Sequence, residues 1–334
     1  RRGHEVCFVG TRSGFEARLV PARGFPIEWI SIGGLNRVSW RILLRSLLQL
    51  PLSTIAAFRI VRRWRPQALF SLGGYAAGPV MIAAWLSRIP MVLMEPNAIP
   101  GMTNRRMAAW VRKALISFPE AARYFPDANT EVTGLPVRAE FFQIPERNPK
   151  PPFTLLVTGG SRGARRLNTA SREAWPLFRE AGIPMRFVLQ CGASEYETLA
   201  AAFRESGLDG EVTPFLEDMA GAYASADLIL SRAGAGGVSE IAAAGRAAVL
   251  VPFPYAADDH QTANARALEA AGAARVIPDA ELTGERLFQE VTQLFNAPGT
   301  LRAMGKAARR SARPAAAQRA ADLLIEFAER RRES

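Results

Sequence analysis

The chain has 334 residues, a net charge of +11, 49% hydrophobic and 22% charged residues. That length is about twice a typical domain and the composition suits a packed core, which points to two domains and excludes a disordered chain. With only Cys7, Cys191, His4 and His260 of their kinds, a disulfide scaffold and a Cys- or His-rich metal centre are excluded, and a reducing compartment fits. No apolar run reaches the roughly 18–20 residues that span a bilayer. The charge is lopsided. The first 150 residues hold twelve more basic than acidic residues, and the remainder is balanced to within one. Such asymmetry gives the first half an anionic partner, nucleic acid or a phospholipid surface.

In chain order, apolar runs predict first-half strands at 6–9, 68–71, 91–94 and 114–117. Between the first two, the segment 36–66 carries Arg37, Arg41, Arg45, Arg59, Arg62, Arg63 and Arg65 with no acid. Leu47, Leu48, Leu50, Leu52, Ile55 and Phe58 lie among them, flanked by Trp40 and Trp64, and Pro51 is expected to break or kink the run. Two readings stand: core helices with solvated arginines, or an interfacial surface resting on anionic headgroups. The Pro-rich stretch 143–152 reads as a linker. It separates domains at 1–140 and 153–312, with 141–152 between them. The second half alternates strands at 153–158, 185–190, 212–215, 228–230, 248–252 and 274–277 with helices at 167–181, 194–206, 237–244 and 262–271. This is an α/β pattern, two tandem doubly wound parallel-sheet domains with ligands beyond the carboxyl ends of the strands.

Three glycine-rich turns stand at such strand ends. They are Ser71-Leu72-Gly73-Gly74-Tyr75, Thr158-Gly159-Gly160-Ser161-Arg162-Gly163-Ala164 and Ser231-Arg232-Ala233-Gly234-Ala235-Gly236-Gly237. Each serves as a tight strand-to-helix turn or as a backbone cradle for a diphosphate. None has the P-loop spacing that would make an ATPase. Glu240, in the first turns of the helix at 238–244, either complements the helix dipole or accepts two hydrogen bonds from a ribose diol. Asp258 or Asp259 reads as a helix cap. Gln261 and Asn264 share a helical face that could meet sugar hydroxyls, and His260 reads as a polar loop residue.

Taken together these residues are specific. Gly159-Gly160-Ser161-x-Gly163-Ala164 with Asn168, Ser231-Arg232-x-Gly234-Ala235 with Ser239-Glu240-Ile241, Pro252-Phe253 and Gln261-x-x-Asn264-Ala265 resemble the MurG family. So do Gly73-Gly74-Tyr75-x-x-Gly78-Pro79, Glu95-x-Asn97, Gly101-x-Thr103-Asn104 and Gly134-x-Pro136-Val137-Arg138. The resemblance runs from about residue 3 to the last helix. It implies a GT-B fold, with 313–334 packing back on the first domain. The implied activity is inverting transfer of GlcNAc from UDP-GlcNAc to the C4 hydroxyl of MurNAc in lipid I, giving lipid II for peptidoglycan. The second domain would hold the donor. Glu240 would take the ribose hydroxyls, Ser161 with the backbone of Ala235 and Gly236 the diphosphate, and Phe215 and Leu216 the uracil. Arg138 would approach from the hinge, Gln261 and Asn97 would meet GlcNAc, and Arg232 is a candidate for the leaving group. Gly73, Gly74, Tyr75 and Asn104 fall on the acceptor side. The implied partners are UDP-GlcNAc, undecaprenyl-linked lipid I and an anionic membrane surface, at the cytoplasmic face of the bacterial inner membrane as a peripheral protein.

Some positions depart from the family pattern. Met94-Glu95-Pro96-Asn97 stands where His-Glu-Gln-Asn is usual, Arg162 replaces Gln, and His260 replaces a second Gln. The stretch 2–10 resembles the end of a first helix followed by a second strand. A preceding strand and glycine-rich loop, with a His often proposed for catalysis, are therefore expected but absent from the sequence, and no catalytic base is assigned. The expectation is a complete donor site and an incomplete acceptor site. No D-x-D motif occurs, so neither a metal nor another cofactor is expected. Alternatives are another GT-B transferase with a lipid acceptor, a UDP-GlcNAc epimerase, which would need more histidine, and a basic RNA-binding protein. The last would interleave aromatics with arginine, whereas this basic run is leucine-rich, so no nucleic-acid partner is expected.

Overall fold

The computed structural model describes residues 3–32, 40–125, 129–160 and 163–333, with the backbone alone for 40–48 and 333. Its elements begin with β1 (Phe8–Gly10), α1 (Glu16–Leu19), β2 (Ile27–Trp29), α2 (Trp40–Trp64), β3 (Leu69–Ser71), α3 (Ala77–Leu86) and β4 (Met91–Glu95). They continue through α4 (Met102–Met107), β5 (Lys113–Ile116), β6 (Thr130–Val132), α5 (Ala139–Phe142), β7 (Phe153–Thr158), α6 (Arg165–Glu180), β8 (Met185–Gln190) and α7 (Tyr196–Ser206). Then come β9 (Asp209–Thr213), α8 (Met219–Ser225), β10 (Leu228–Ser231), α9 (Ala235–Ala244), β11 (Ala248–Leu250), α10 (His260–Ala270) and β12 (Ala274–Val276). Three helices close the chain, α11 (Gly284–Phe295), α12 (Pro298–Ser311) and α13 (Ala316–Glu333). The chain forms two compact units. One comprises Arg1–Pro96, Pro100–Thr133 and Ala317–Ser334, the other Asn97–Ile99 and Gly134–Ala316.

The second unit holds six parallel strands in the order β12-β11-β10-β7-β8-β9. Renumbered from β7, this is the doubly wound 3-2-1-4-5-6 order, whose switch point lies between its first and fourth strands. All six positions of β7 are buried, as a strand covered by helices on both faces requires. From α6, Leu167, Ala170, Ala174 and Phe178 form one buried stripe at helical spacing. Phe178 meets Phe187 and Phe288 edge to face at 5.5 and 4.9 Å, and Trp175 meets Phe203 at 5.0 Å. β9 starts at Asp209, three residues before the expected apolar run. Its first residues, Asp209-Gly210-Glu211, are polar because it is the sheet edge, paired only with β8.

The Pro-rich stretch lies inside the second unit rather than between the units, and the reason is a set of arginine clamps. Arg309 donates to the carbonyls of Phe142 and Ile144 and to those of Ala243 and Ala244, the last two of α9. Arg246, almost fully buried, donates to Pro145, Ala244, Tyr223 and Ala224. Helix-end carbonyls that lack helical partners are thereby satisfied, and 142–145 is fastened to them. Burial pushes the Arg246 guanidinium down to about 10, with Arg147 and Arg309 adding to the push. Next along the chain, Arg147 forms two bonds to the buried Asp227, which also accepts the Thr154 N–H.

In the first unit β3-β4-β5-β6 form a parallel sheet and β1 pairs with β2 in a separate parallel pair. α2 continues through Pro51, which does not end the helix as expected. Proline removes one helical donor, and the buried side of the following turns, Ser53, Ala57 and Val61, packs into the core beside α3. The opposite face exposes Leu52, Ile55, Arg59 and Arg62. Arg37 lies outside the described residues, as do the side chains of Trp40, Arg41, Arg45, Leu47 and Leu48. α13 belongs to this unit through two contacts. Arg319 forks onto Glu131 at 2.6 and 2.9 Å, and Arg331 donates to the carbonyls of Pro66 and Ser87.

The Arg319 hydrogen bond holds the Glu131 carboxyl below its ordinary value of 4.5, with Lys113 adding to the effect. A depressed carboxylate stabilises the folded state above its unfolded pKa and loses that contribution as pH falls through the folded one. Hydrogen exchange along α13 should therefore accelerate as pH drops below 4.5, beyond the intrinsic pH effect, and Glu131→Gln should remove the transition. Identical acid profiles for the two proteins would contradict the clamp.

Candidate functional site

Thr158 and Ser231 are paired residues of adjacent strands, β7 and β10. The turns that leave them lead to α6 and α9, the arrangement that creates a crevice at a switch point. Among the described residues no side chain caps either helix start. Ala164 precedes α6 and Gly234 precedes α9, both in extended conformation. Among the described residues, the first amides of both helices thus remain donors for an incoming acceptor. Ala235 and Gly236 occupy the opening turn of α9. Ser161 and Arg162 lie outside the described residues.

The first turn is held from behind. Thr158 Oγ1 donates to Gln190 Oε1 at 2.7 Å, and Gln190 Nε2 donates to the Gly160 carbonyl at 2.9 Å. Asn168 Nδ2 donates to the Cys191 carbonyl and to Glu195. Gly163 has φ of +73°, and a Cβ there would overlap the Cys191 carbonyl. Glycine is required at that position both for its backbone conformation and for the close approach. Gln190 was missed in the sequence because it closes an apolar strand and belongs to no glycine-rich motif.

α9 starts at Ala235, so Glu240 is its sixth residue and not in its first turn. The helix-dipole reading therefore weakens, since that effect fades beyond the first turn. Burial raises the Glu240 carboxyl above its ordinary 4.5, against the pull of Arg138, and Glu140 adds to the rise. Arg138 pairs with Glu140 at 2.8 Å and lies over the Phe141 ring. Phe215, just past β9, is exposed, and Leu216 is half-buried. A largely desolvated carboxylate near an arginine is arranged to accept hydrogen bonds once a ligand supplies them.

Arg232 is committed to the protein. Its Nη1 donates to the Val251 and Pro252 carbonyls and to Asp279 Oδ1 at 2.5 Å, and its guanidinium lies over Phe253. It ties together the loops after β10, β11 and β12. Gln261 Oε1 accepts the Phe253 N–H at 3.0 Å. Asn264 does not face a sugar. It is 0% exposed, accepts the Ala98 N–H at 2.8 Å and donates to Asn97 Oδ1 and the Ala233 carbonyl at 3.1 Å. That bonding explains why 97–99 belongs to the second unit. Asp259 takes the position before α10, and its carboxylate accepts from the Thr262 hydroxyl instead of a backbone amide. His260 Nδ1 sits 2.7 Å from the Ala257 carbonyl.

These loops enclose a cavity of about 580 Å³ lined by Gly159, Gly163, Arg165, Arg166, Arg232 and Gln261, among others. In the first unit, Gly73 and Gly74 both adopt positive φ at the end of β3. Asn104 is buried behind them. Its Nδ2 donates to Glu95 Oε2 at 2.7 Å, and a Cβ on Gly73 would overlap its Oδ1. Asn104 thus shapes the turn from beneath. Tyr75 is exposed, its hydroxyl 3.4 Å from that of Thr11. Thr11, which the sequence reading passed over, also donates twice to Glu16.

Family models match both halves: the glycosyltransferase family 28 N-terminal domain over residues 1–116 and its C-terminal domain over 154–320. A UDP-N-acetylglucosamine–N-acetylmuramyl-(pentapeptide) pyrophosphoryl-undecaprenol N-acetylglucosamine transferase of Solibacter usitatus is 55% identical, covering 98% of this chain and 89% of its own length. The chain belongs to the MurG family. A relative of the same name from Myxococcus xanthus is 41% identical over 97% of the chain and 85% of its own length. The crystal structure of Acinetobacter baumannii MurG superposes with a TM-score of 0.82 at 36% identity, covering 96% of this chain and 91% of that one. The fold is accordingly GT-B, two Rossmann-like units.

Gly163→Ala should destabilise the second unit by about 2–4 kcal/mol, the cost of left-handed strain plus overlap with backbone. Urea denaturation measures it, and unchanged stability would show that the turn does not pack against Cys191 as described.

Proposed function

We infer that this chain is the inverting glycosyltransferase that moves GlcNAc from UDP-GlcNAc to the C4 hydroxyl of MurNAc in undecaprenyl-pyrophosphoryl-MurNAc-pentapeptide, making lipid II for peptidoglycan. The observation that carries the reading is the 55% identity, over nearly the whole chain, to a relative named for that transfer. The acceptor hydroxyl attacks the anomeric carbon and passes its proton to a general base, the bond to the diphosphate breaks, and UDP leaves with the electron pair. Stabilising the departing diphosphate is the electrostatic demand, and preorganised amides at helix starts meet it without reorganisation.

The second unit is the donor side. Ser161 and the amides of Ala235 and Gly236 hold the diphosphate, Phe215 and Leu216 border the uracil, and Gln261 and Asn97 reach the GlcNAc hydroxyls. Glu240 accepts the ribose diol, with Arg138 nearby. Arg232 serves this site by joining three loops, and its charge is paired with Asp279. The first unit is the acceptor side, where Gly73, Gly74 and Tyr75 face the ligand and Asn104 supports them.

The first unit also rests on the membrane. Among the described residues no helix is long and apolar enough to cross one. Supporting a peripheral contact are Leu52, 68% exposed, and Ile55, 50% exposed, on the same side of α2 as Arg59 and Arg62. Trp85 and Trp110 stack at 4.7 Å and are both exposed, with Leu86 next in chain. Apolar and aromatic groups beside arginine suit an anionic interface at the cytoplasmic face. The protein should float with anionic vesicles at low salt and lose them as salt rises, and the double variant Leu52→Ser, Ile55→Ser should bind more weakly. Equal recovery with neutral vesicles would contradict this placement.

The transfer itself is tested by incubating the protein with UDP-GlcNAc and a lipid I analogue, reading disaccharide and UDP formed in equal amounts. No disaccharide, or transfer only to acceptors lacking MurNAc, would overturn the reading. Glu240 supplies a pH signature. Its raised pKa means that protonation begins above pH 4.5, and the neutral acid is a poorer acceptor for two hydroxyls. UDP affinity should fall as pH drops through that range, whereas Glu240→Gln should bind about 10- to 100-fold more weakly at neutral pH and show no such fall. Parallel pH profiles for the two proteins would remove Glu240 from the ribose.

A further inference from the structure

The cavity at the ends of β7, β10 and β11 has an uneven charge. Among the described residues three guanidinium groups line it, those of Arg165, Arg166 and Arg232, against one carboxylate, Asp279. Asp279 is taken by Arg232 at 2.5 Å. Arg166 donates only to neutral acceptors, its Nε to the Asp279 carbonyl at 3.0 Å and its Nη2 to the Ala280 carbonyl at 3.1 Å. Among the described residues no carboxylate pairs with it. Arg165 is 92% exposed along its side chain, and its acid, Glu195, stands 3.9 Å away. The wall beside Gly159 and Gly163 is therefore positive by about two charges, and the uncapped start of α6 adds to the field.

We propose that Arg166, reinforced by Arg165, is a diphosphate-binding residue that neutralises the leaving UDP, the role for which the sequence makes Arg232 a candidate. This rests on the donor reading above and names the cation within it. A diphosphate ester brings roughly two negative charges, which match the excess. Arg166 is also held ready. Its two bonds to the loop after β12 fix the plane of the guanidinium and leave its other N–H donors for a ligand. The nucleoside side is not involved, because Glu240, Phe215 and Leu216 do not line this cavity. The positive wall lies instead next to the glycine turn and Gln261, where the diphosphate and sugar of the donor would meet.

The test titrates the intact chain with UDP and with uridine, which lacks the diphosphate, by calorimetry at low and moderate salt. Arg166→Gln should weaken UDP about tenfold or more and leave uridine unchanged, and the salt dependence of UDP binding should become shallower. Arg166→Lys, which keeps the charge but loses the planar fork, should recover most of the UDP affinity. Melting temperatures of both variants verify that they fold. Unchanged UDP affinity in Arg166→Gln, or equal losses for UDP and uridine, would overturn the assignment. A wild-type protein that binds uridine and UDP equally well would also overturn it, whereas one that binds neither would overturn the donor reading on which it stands.

Discussion

The parallel pairing of β7 with β10, from Leu155 against Leu228 to Thr158 against Ser231, is the constraint on which the second unit depends. These strands are far apart in sequence, and their pairing reverses the direction in which the sheet is built. Two helices therefore start from neighbouring strand ends, their first amides unclaimed among the described residues. An anion placed there meets donors fixed by the fold, and no metal-binding motif is needed for it. Gly163, Gln190 and Asn168 keep one turn in shape, and Arg232 joins the other to the loops after β11 and β12. Binding groups that do not have to be ordered by the ligand lose less free energy on association.

The other end of α9 carries the opposite problem, carbonyls without donors, and Arg246 and Arg309 solve it. Because each arginine has donors to spare, the same groups capture the carbonyls of Phe142, Ile144 and Pro145. A stretch that composition marks as a linker thus becomes part of a domain. Asn264 does the equivalent for 97–99 through Ala98 and Asn97. Removing a buried arginine of this kind would strand several carbonyls at once, so these clamps weigh more on stability than the surface ion pairs do.

The alternation of the second half was legible because its strands are buried on both faces and read as plain apolar runs, as β7 does. The edge strand β9 was only partly legible, since its opening Asp209-Gly210-Glu211 is polar. Pro51 misled in the other direction: one lost helical bond is outweighed by the packing of Ala57 and Val61. At the site, glycine-rich turns announced themselves, because few other residues fit those conformations. Roles that depend on the far end of a long side chain did not. Arg232 and Arg166 look alike in the sequence, and only their partners separate a guanidinium spent on the protein from one left with its charge. Asn264 likewise reads as a sugar ligand until the Ala98 amide is seen at its oxygen.

On the donor reading proposed above, the helix starts at 163–167 and 235–237 together receive the nucleotide's diphosphate. Hydrogen exchange of the full chain with and without saturating UDP tests it most directly. Slower exchange is expected for the amides of both segments, with little change in the covered strands β7 and β10, which are protected in either state. Protection confined to one of the two helix starts, or absent from both while UDP is bound, would contradict it.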